Sequence, residues 1–384
     1  MQVYLDNAAT TRIDPRVLAR MKPYFLNHFG NASSIHKLGQ DNDAAIKKCK
    51  IKIGQLLGVK PERLVFTASA TEANNFIIKG VMRANRERGN HLIISAIEHP
   101  CVRQSAKELE DEGFKVDIAP VDSRGLIDLG KLKNLIGPQT VLVSIMTVNN
   151  EIGTIQDIAA ISRLVHERGV LFHTDAVQAV PYLKINIEKD NIDFLSLSGH
   201  KFYGPLGVGL AVINPAVRIK PLIVGGGQEK GMRAGTYNVP GIIGFTEALT
   251  LAYQERTAYL KKVKELRDYL LAQIKKNIPD VNINGDLKKR TPNNLNLMFS
   301  RIEGEAILMD LSYQGVYVST GSACSALNLK SSSVLAALGI ADDNLNSNIR
   351  FSLGKYNTKK EIDYALKALQ KTVSRLRSFS PIKN

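Results

Sequence analysis

Short apolar runs alternate with amphipathic stretches along the first two-thirds of the chain. The runs are rich in Val, Ile, Leu and Phe and mostly lack polar alternation, which is typical of strands in a parallel sheet covered on both faces. They predict strands at residues 64–67, 91–95, 141–146, 170–175 and 193–198. The amphipathic stretches predict helices at residues 71–88, 102–112 and 158–168. This alternation predicts an α/β fold with right-handed crossovers between the strands.

The pattern changes after residue 214. A glycine-rich segment at residues 225–236 precedes a long helical pattern from about residue 241 to residue 278, and a final helix is predicted at residues 359–377. No linker rich in Pro, Gly or Ser, as would separate independent domains, interrupts the chain. We therefore place a domain boundary inside the long helix.

Composition narrows the class of protein. Of the 384 residues, 44% are hydrophobic and 23% are charged, which is ordinary for a soluble globular protein. Three cysteines are too few for a disulfide framework. No apolar run reaches the roughly 18 residues that a membrane helix needs, and the first residues lack the pattern of a secretory signal. We expect a soluble protein in a reducing, cytoplasmic setting.

The formal net charge is +15, with 51 Lys and Arg against 36 Asp and Glu. Four uses compete for this charge: nucleic acid, an anionic cofactor or substrate, an acidic protein partner, and general solubility. No RNA- or DNA-binding motif is present. Aromatic residues make up 6% and Trp is absent, so stacking platforms for bases are not indicated. The charge therefore does not predict direct nucleic-acid binding.

Lys201 follows a predicted strand within SGHKFYGP and is flanked by glycines. Ligands of open parallel sheets bind at the carboxyl ends of the strands, and glycines let them approach the backbone. A lysine placed here can hold an aldehyde cofactor as a Schiff base, or it can bind a phosphate as a point charge. The spacing alone leaves both uses open.

Two further strand ends carry polar side chains. Asp175 ends a strand, with Gln178 three residues later; the aspartate could cap a helix or pair with a protonated pyridine nitrogen. Thr71 follows the small residues 68–70 at a predicted helix start, where free backbone N–H groups can bind phosphate. An ordinary capped helix start has the same residue types.

The three cysteines differ in their surroundings. Cys324 lies in residues 319–333, which are rich in Gly, Ser and Ala and predict an exposed loop, where a lone cysteine is more often reactive. Cys49 has apolar neighbours at helical spacing and is predicted to lie in the core. Cys101 follows Pro100 in a first helical turn, where the helix dipole is expected to lower its pKa. The residues alone leave Cys101 as a rival nucleophile to Cys324.

Taken together, these motifs resemble the cysteine desulfurases of the NifS/IscS group, which are class-V aminotransferase-like pyridoxal-phosphate enzymes of fold type I. The resemblance runs almost end to end, and the joint order of its short motifs makes it specific. The matching segments are YLDNAATT, GNASSIH, ATE, EHP, NNEIGT, HTDAVQ, SGHKFYGP, GGGQEKGMRAGT, TGSAC and IRFSLG.

The resemblance implies a mostly parallel seven-stranded sheet in a large cofactor-binding domain of residues 13–255. A smaller α+β domain would combine residues 1–12 with residues 256–384 and carry the Cys324 loop. One departure is the phosphate segment, where Ala68 and Ser69 replace residues that are more often Ser and Gly or Cys in the family. Since backbone N–H groups still serve as donors there, we expect at most a modest effect on cofactor affinity.

The resemblance also implies roles for individual residues. Lys201 would bind pyridoxal phosphate covalently, and Asp175 would pair with the pyridinium nitrogen. Cys324 would be the nucleophile that takes up sulfur, a role that Cys101 lacks in the family. The remaining implied contacts are those of Gln178 and His99 with the ring, of Ala70, Thr71, Ser198, His200 and the second subunit's Thr236 with the phosphate, and of Arg350 and Asn150 with the substrate carboxylate. Asn150 is also placed beside the cofactor, His99 is a candidate proton relay, and no metal site is predicted.

The implied activity is removal of sulfur from L-cysteine, giving L-alanine and a persulfide on Cys324. The persulfide would pass to acceptors for iron–sulfur cluster assembly or another sulfur-transfer pathway. The implied partners are a second copy of the chain and an iron–sulfur scaffold or another acceptor protein. Alternatives within the fold are a selenocysteine lyase, another lyase or an aminotransferase. Cys324 argues against simple elimination, which needs no protein thiol.

Overall fold

The computed structural model describes residues 1–321 and 332–379. The chain starts with β1 (Val3–Tyr4), α1 (Pro15–Leu26) and α2 (Lys37–Leu57). An alternating region follows, with β2 (Leu64–Thr67), α3 (Ala70–Ala84), β3 (His91–Ser95), α4 (Pro100–Asp111), β4 (Lys115–Ala119), α5 (Leu129–Leu135), β5 (Thr140–Ser144), α6 (Ile158–His166), β6 (Leu171–Asp175), β7 (Phe194–Ser198) and β8 (Gly209–Val212).

The strands of this region form a seven-stranded sheet in the order β2-β8-β7-β6-β5-β3-β4. β8 is antiparallel to both of its neighbours, and all the other paired strands are parallel. The predicted α/β fold with a mostly parallel seven-stranded sheet is thereby confirmed. The edge strand β4 was not predicted, because its polar positions break the apolar run that marks the inner strands.

Helices cover both faces of the sheet, and neighbouring residues of a strand can pack into different cores. In β3, Ile93 belongs to a core with α1, α2 and α7 (Val239–Asn277), whereas Leu92 and Ile94 belong to a core with α3 and α4. Because both faces are covered, β3, β5, β6 and β7 are buried at every position and rich in apolar residues. This explains why their positions could be predicted closely from the sequence.

A second group of elements follows α7. These are β9 (Val281–Ile283), β10 (Asn294–Phe299), α8 (Gly304–Tyr313), β11 (Val316–Tyr317), α9 (Ser333–Ala337), β12 (Asn348–Ser352) and α10 (Lys359–Phe379). β12, β10 and β9 form an antiparallel sheet, and β11 pairs in parallel with β1. Among the described residues, no helix is both long and apolar enough to cross a membrane.

The long helix α7 connects the two parts of the molecule. Its first half contributes Phe245 to the core of the large sheet, and its second half contributes Leu270 and Ile274 to a separate core. That second core also contains Val3 and Leu5 from the start of the chain. This packing supports the predicted division into residues 13–255 and residues 1–12 with 256–384, which stays a prediction.

Candidate active site

A cavity of about 260 Å³ opens at the carboxyl edge of the large sheet. It lies where β6 and β7 end and where α3 and α4 begin. Ten of the predicted site residues line it: Ala70, Thr71, His99, Asn150, Asp175, Gln178, Ser198, His200, Lys201 and Arg350. Thr236 is exposed and is not among the lining residues, and Cys324 lies outside the described residues. The structure therefore assembles most of the predicted site, while the role of each residue stays a prediction.

The carboxylate of Asp175 is buried at the end of β6. Its Oδ1 accepts a hydrogen bond from the N–H of Val177 (3.0 Å), and its Oδ2 accepts one from Nδ2 of Asn74 (2.7 Å). Asn74 was not predicted as a site residue. It lies one helical turn after Ala70, so the 3.6-residue period of α3 could have placed it on the cavity side.

The amine of Lys201 is held by the start of the chain. Its Nζ donates to the carbonyl oxygens of Ala8 (2.7 Å) and Ala9 (2.8 Å). Nε2 of Gln178 donates to the same Ala8 oxygen (2.8 Å). These carbonyls carry no side-chain signal, so sequence reasoning assigned them no role.

The backbone around Lys201 is fixed by neighbouring threonines. The hydroxyl of Thr11 donates to the carbonyl of His200 (2.7 Å) and accepts from the N–H of Tyr203 (2.7 Å). Nδ1 of His200 lies 3.1 Å from the hydroxyl of Thr10. Burial, aided by the charge of Lys201, lowers the pKa of His200 to about 4, so this imidazole is neutral at physiological pH.

The start of α3 offers backbone donors to an anion. Ser69 is the N-cap residue, and its hydroxyl accepts from the N–H of Glu72 (3.2 Å). β8 passes close to this turn, because a Cβ at Gly209 would lie 2.5 Å from the carbonyl carbon of Ser69. Free N–H groups at a helix start together with the helix dipole favour a phosphate.

Arg350 is almost fully buried, at 1% exposure, and forms part of the cavity wall. Its guanidinium pairs with Oδ1 of Asp6 (2.6 Å) and donates to the carbonyls of Asn150 (3.0 Å) and Gly321 (2.7 Å). Its Nε has no hydrogen-bond partner among the described residues. Arginine presents a fork of donors that suits a carboxylate, so this side chain could hold a substrate carboxylate at the cavity. Asp6 was not predicted.

His99 is the N-cap residue of α4, and its Nδ1 accepts from the N–H of Cys101 (3.2 Å). Burial lowers the pKa of His99, against the opposing effect of Asp175. The Cys101 thiol lines the same cavity, but burial and then the Asp175 carboxylate raise its pKa to about 12. The expectation that the helix start lowers the pKa of Cys101 is wrong, because desolvation and a nearby anion outweigh the dipole. Cys49 is buried in the core, as predicted.

The residues around the cavity fit pyridoxal phosphate. A buried carboxylate suits a protonated ring nitrogen, a lysine amine suits an aldehyde, and a helix start suits a phosphate. All three features lie at the carboxyl edge of a mostly parallel sheet. Fold and site together define the class of pyridoxal-phosphate enzymes of fold type I.

Comparison with known proteins narrows the class to a family. Residues 3–365 match the aminotransferase class-V family. The chain is 44% identical over 382 residues to a cysteine desulfurase IscS from Dictyoglomus turgidum, covering 100% of this chain and 97% of that protein. Among solved structures it resembles a NifS-like protein (40% identity, TM-score 0.93, 98% of this chain and 100% of that one). It also resembles SspA in complex with cysteine (34% identity, TM-score 0.81, 93% and 100%). The chain belongs to the aminotransferase class-V family, as its motifs predicted.

Proposed function

We propose that this chain is a pyridoxal-phosphate-dependent cysteine desulfurase that releases L-alanine and keeps the sulfur as a persulfide on Cys324. The observation that carries the proposal is the convergence of Lys201, Asp175 and Arg350 on one cavity. The relative at 44% identity is named a cysteine desulfurase, and SspA was solved with cysteine bound, which supports this substrate.

Different residues of the cavity would bind different parts of the cofactor. Lys201 would bond to its aldehyde carbon, Asp175 would pair with the ring nitrogen, and Gln178 with the ring hydroxyl. The backbone at Ala70 and Thr71, with Ser198 and His200, would bind the phosphate, and His99 and Asn150 would contact the ring. When bound, pyridoxal phosphate supplies an electron sink that makes the substrate α-proton removable and the substrate C–S bond labile.

The protein supplies orientation, proton transfer and the sulfur acceptor. Arg350 would bind the carboxylate of L-cysteine and fix its orientation. The amine of Lys201 would take the α-proton as a general base. The thiolate of Cys324 would attack the substrate sulfur, forming an S–S bond as the C–S bond breaks. In sum, L-cysteine and the Cys324 thiol give L-alanine and the Cys324 persulfide, so atoms and electrons balance.

The proposal is tested by incubating the loaded protein with L-cysteine and a thiol reductant and measuring alanine and sulfide together. Each turnover leaves one alanine and one reducible sulfur, so we expect equal yields of the two products. Pyruvate in place of alanine would indicate elimination instead of desulfuration. Turnover of L-selenocysteine but not of L-cysteine would favour the lyase alternative.

We further propose that the protein works as a homodimer and that Thr236 reaches the phosphate site of the partner. Thr236 is exposed and does not line the cavity of its own subunit. Large apolar side chains are exposed along residues 25–35, among them Phe29 (70%) and Ile35 (92%). Such a concentration of exposed apolar surface is typical of a protein–protein interface.

A mixed dimer separates action across subunits from action within one. We expect Thr236→Ala to weaken cofactor binding about tenfold or more, because it removes a hydrogen bond to a charged group. Combining a Thr236→Ala subunit with a Lys201→Ala subunit should then restore one tight covalent site per dimer. If mixed dimers show only weak sites, or if the loaded protein is a monomer by light scattering, the cross-subunit role is wrong.

An acceptor for the sulfur is the third part of the proposal. Residues 256–384 contain 21 of the 51 basic residues but only 11 of the 36 acidic ones, so most of the net positive charge falls on the predicted small domain. Complementary charge raises the rate at which partners meet. We therefore infer that the acceptor, an iron–sulfur scaffold or another sulfur carrier, is acidic and docks on this part of the chain.

A further inference from the structure

The wall of the cavity holds a thiol that the proposed reaction does not use. The Sγ atom of Cys101 lies 3.0 Å from Nδ1 of His99 and 3.2 Å from Nδ2 of Asn74. The backbone N–H of Cys101 points to the same Nδ1 atom at 3.2 Å. Asn74 also donates to Asp175. The thiol therefore connects the imidazole of His99 to the Asn74–Asp175 pair.

The hydrogen-bonding capacity of each group sets the position of the protons. A backbone N–H can only donate, so Nδ1 of His99 accepts, and the neutral imidazole carries its proton on Nε2. Asn74 uses Nδ2 for both Asp175 and the sulfur. Reversing that amide would turn its oxygen toward the carboxylate, which is unfavourable. The sulfur thus accepts from Asn74 and has its own proton available for Nδ1 of His99.

The groups around His99 have opposite effects on its pKa. Burial and Lys201 lower the pKa of His99, whereas Asp175 raises it. Glu98 is fully buried behind the site, and burial raises its pKa well above the ordinary value. Burial also raises the pKa of Cys101 to about 12, so this group remains a protonated thiol and a donor throughout the physiological range.

We propose that Cys101 is a positioning residue whose thiol and backbone N–H together hold His99 as the neutral tautomer protonated on Nε2. The same contacts fix the plane of the imidazole ring, and Asn74 couples this arrangement to Asp175. Cys101 does not accept sulfur in this arrangement. The tautomer itself is independent of the reaction catalysed, and only its catalytic consequence rests on the proposed desulfurase function.

The tautomer can be measured directly by NMR of the loaded full-length protein labelled with ¹⁵N-histidine, with His99 assigned through a His99→Gln variant. We expect one neutral form with Nδ1 unprotonated and Nε2 protonated. Cys101→Ala loses the thiol donor to Nδ1 and keeps the backbone N–H, so the pKa of His99 should rise, by about half a unit to one unit for the one lost hydrogen bond. Cys101→Ser keeps a donor and an acceptor and should restore the wild-type value.

If Cys101 had a purely structural role, Cys101→Ala would leave the titration of His99 unchanged. Ser105→Ala, one turn further along α4, removes the hydroxyl that donates to the carbonyl of Cys101 (2.8 Å) and serves as the matched control. It should lower stability without moving the pKa or the tautomer of His99. The acidic limb of the pH profile of kcat should move to higher pH in Cys101→Ala, by the same amount as the pKa of His99 rises. An unchanged His99 titration in Cys101→Ala, or a failure of Cys101→Ser to restore it, would overturn the proposal.

Discussion

We expect Lys201→Ala to lose the visible absorbance that pyridoxal phosphate shows when bonded to a lysine, and to lose about 10²–10⁴-fold or more in turnover. Among the described residues lining the cavity, Lys201 is the one lysine. No other cavity amine of the described part of the chain could therefore replace it as covalent anchor and proton acceptor. The measurement is an absorbance spectrum before and after dialysis, followed by alanine release from L-cysteine.

The control for this variant is Lys184→Ala, which removes an exposed lysine of the same domain. It should keep both the spectrum and the turnover. Lys201→Ala should still bind the cofactor without a covalent bond, since Asp175 and the start of α3 are unchanged, but dialysis should then remove it. A variant that keeps the wild-type absorbance would contradict the assignment of Lys201.

We expect Cys324→Ser to keep the visible spectrum and to bind L-cysteine, but to form no persulfide and release no sulfide. The physical reason is that a serine hydroxyl does not attack sulfur as a thiolate does. Mass spectrometry of the protein after incubation with L-cysteine, without reductant, checks this by the mass of one added sulfur atom. Cys324 lies outside the described residues, so the prediction rests on its sequence motif and on the surroundings of its rival.

The rival thiol is Cys101, and its pKa decides the comparison. Burial and the Asp175 carboxylate raise the pKa of the Cys101 thiol to about 12, so its thiolate fraction at pH 7 is far below that of an ordinary cysteine. Cys101→Ser should therefore still acquire sulfur on Cys324. Sulfur on Cys101, or loss of persulfide in Cys101→Ser with full activity in Cys324→Ser, would show that the two roles are reversed.

The fold could be predicted because local pattern and global packing agree in the inner sheet. β2 and β3 have the predicted bounds, and β5, β6 and β7 start or end within two residues of them. Helix α3 ends at Ala84 instead of the predicted residue 88. Residues 85–88 are polar, and residues 86–88 are exposed, so they add no buried apolar face that would extend the helix. Residues at strand ends were found for the same reason: the carboxyl ends of parallel strands meet at one edge.

Contacts between segments far apart along the chain could not be predicted from the sequence. The carbonyls of Ala8 and Ala9 reach Lys201, and Asp6 pairs with Arg350 across more than 340 positions. Every residue has a backbone carbonyl, so the sequence does not mark particular carbonyls as functional. Nothing in the sequence around Asp6 links this residue to a distant arginine. Only the packing of the first residues against both parts of the molecule brings these groups together.

By itself, the sequence determined the α/β class, the mostly parallel sheet, the family and ten of the residues that line the cavity. These follow from hydrophobic periodicity and from short ordered motifs, which are local properties. The tertiary structure alone decided how those side chains are held and that the Cys101 thiol stays protonated. Cys101 shows why: its place at a helix start predicts a lowered pKa, but burial beside Asp175 raises it. Desolvation and the field of a distant residue depend on the folded surroundings, which no local pattern contains.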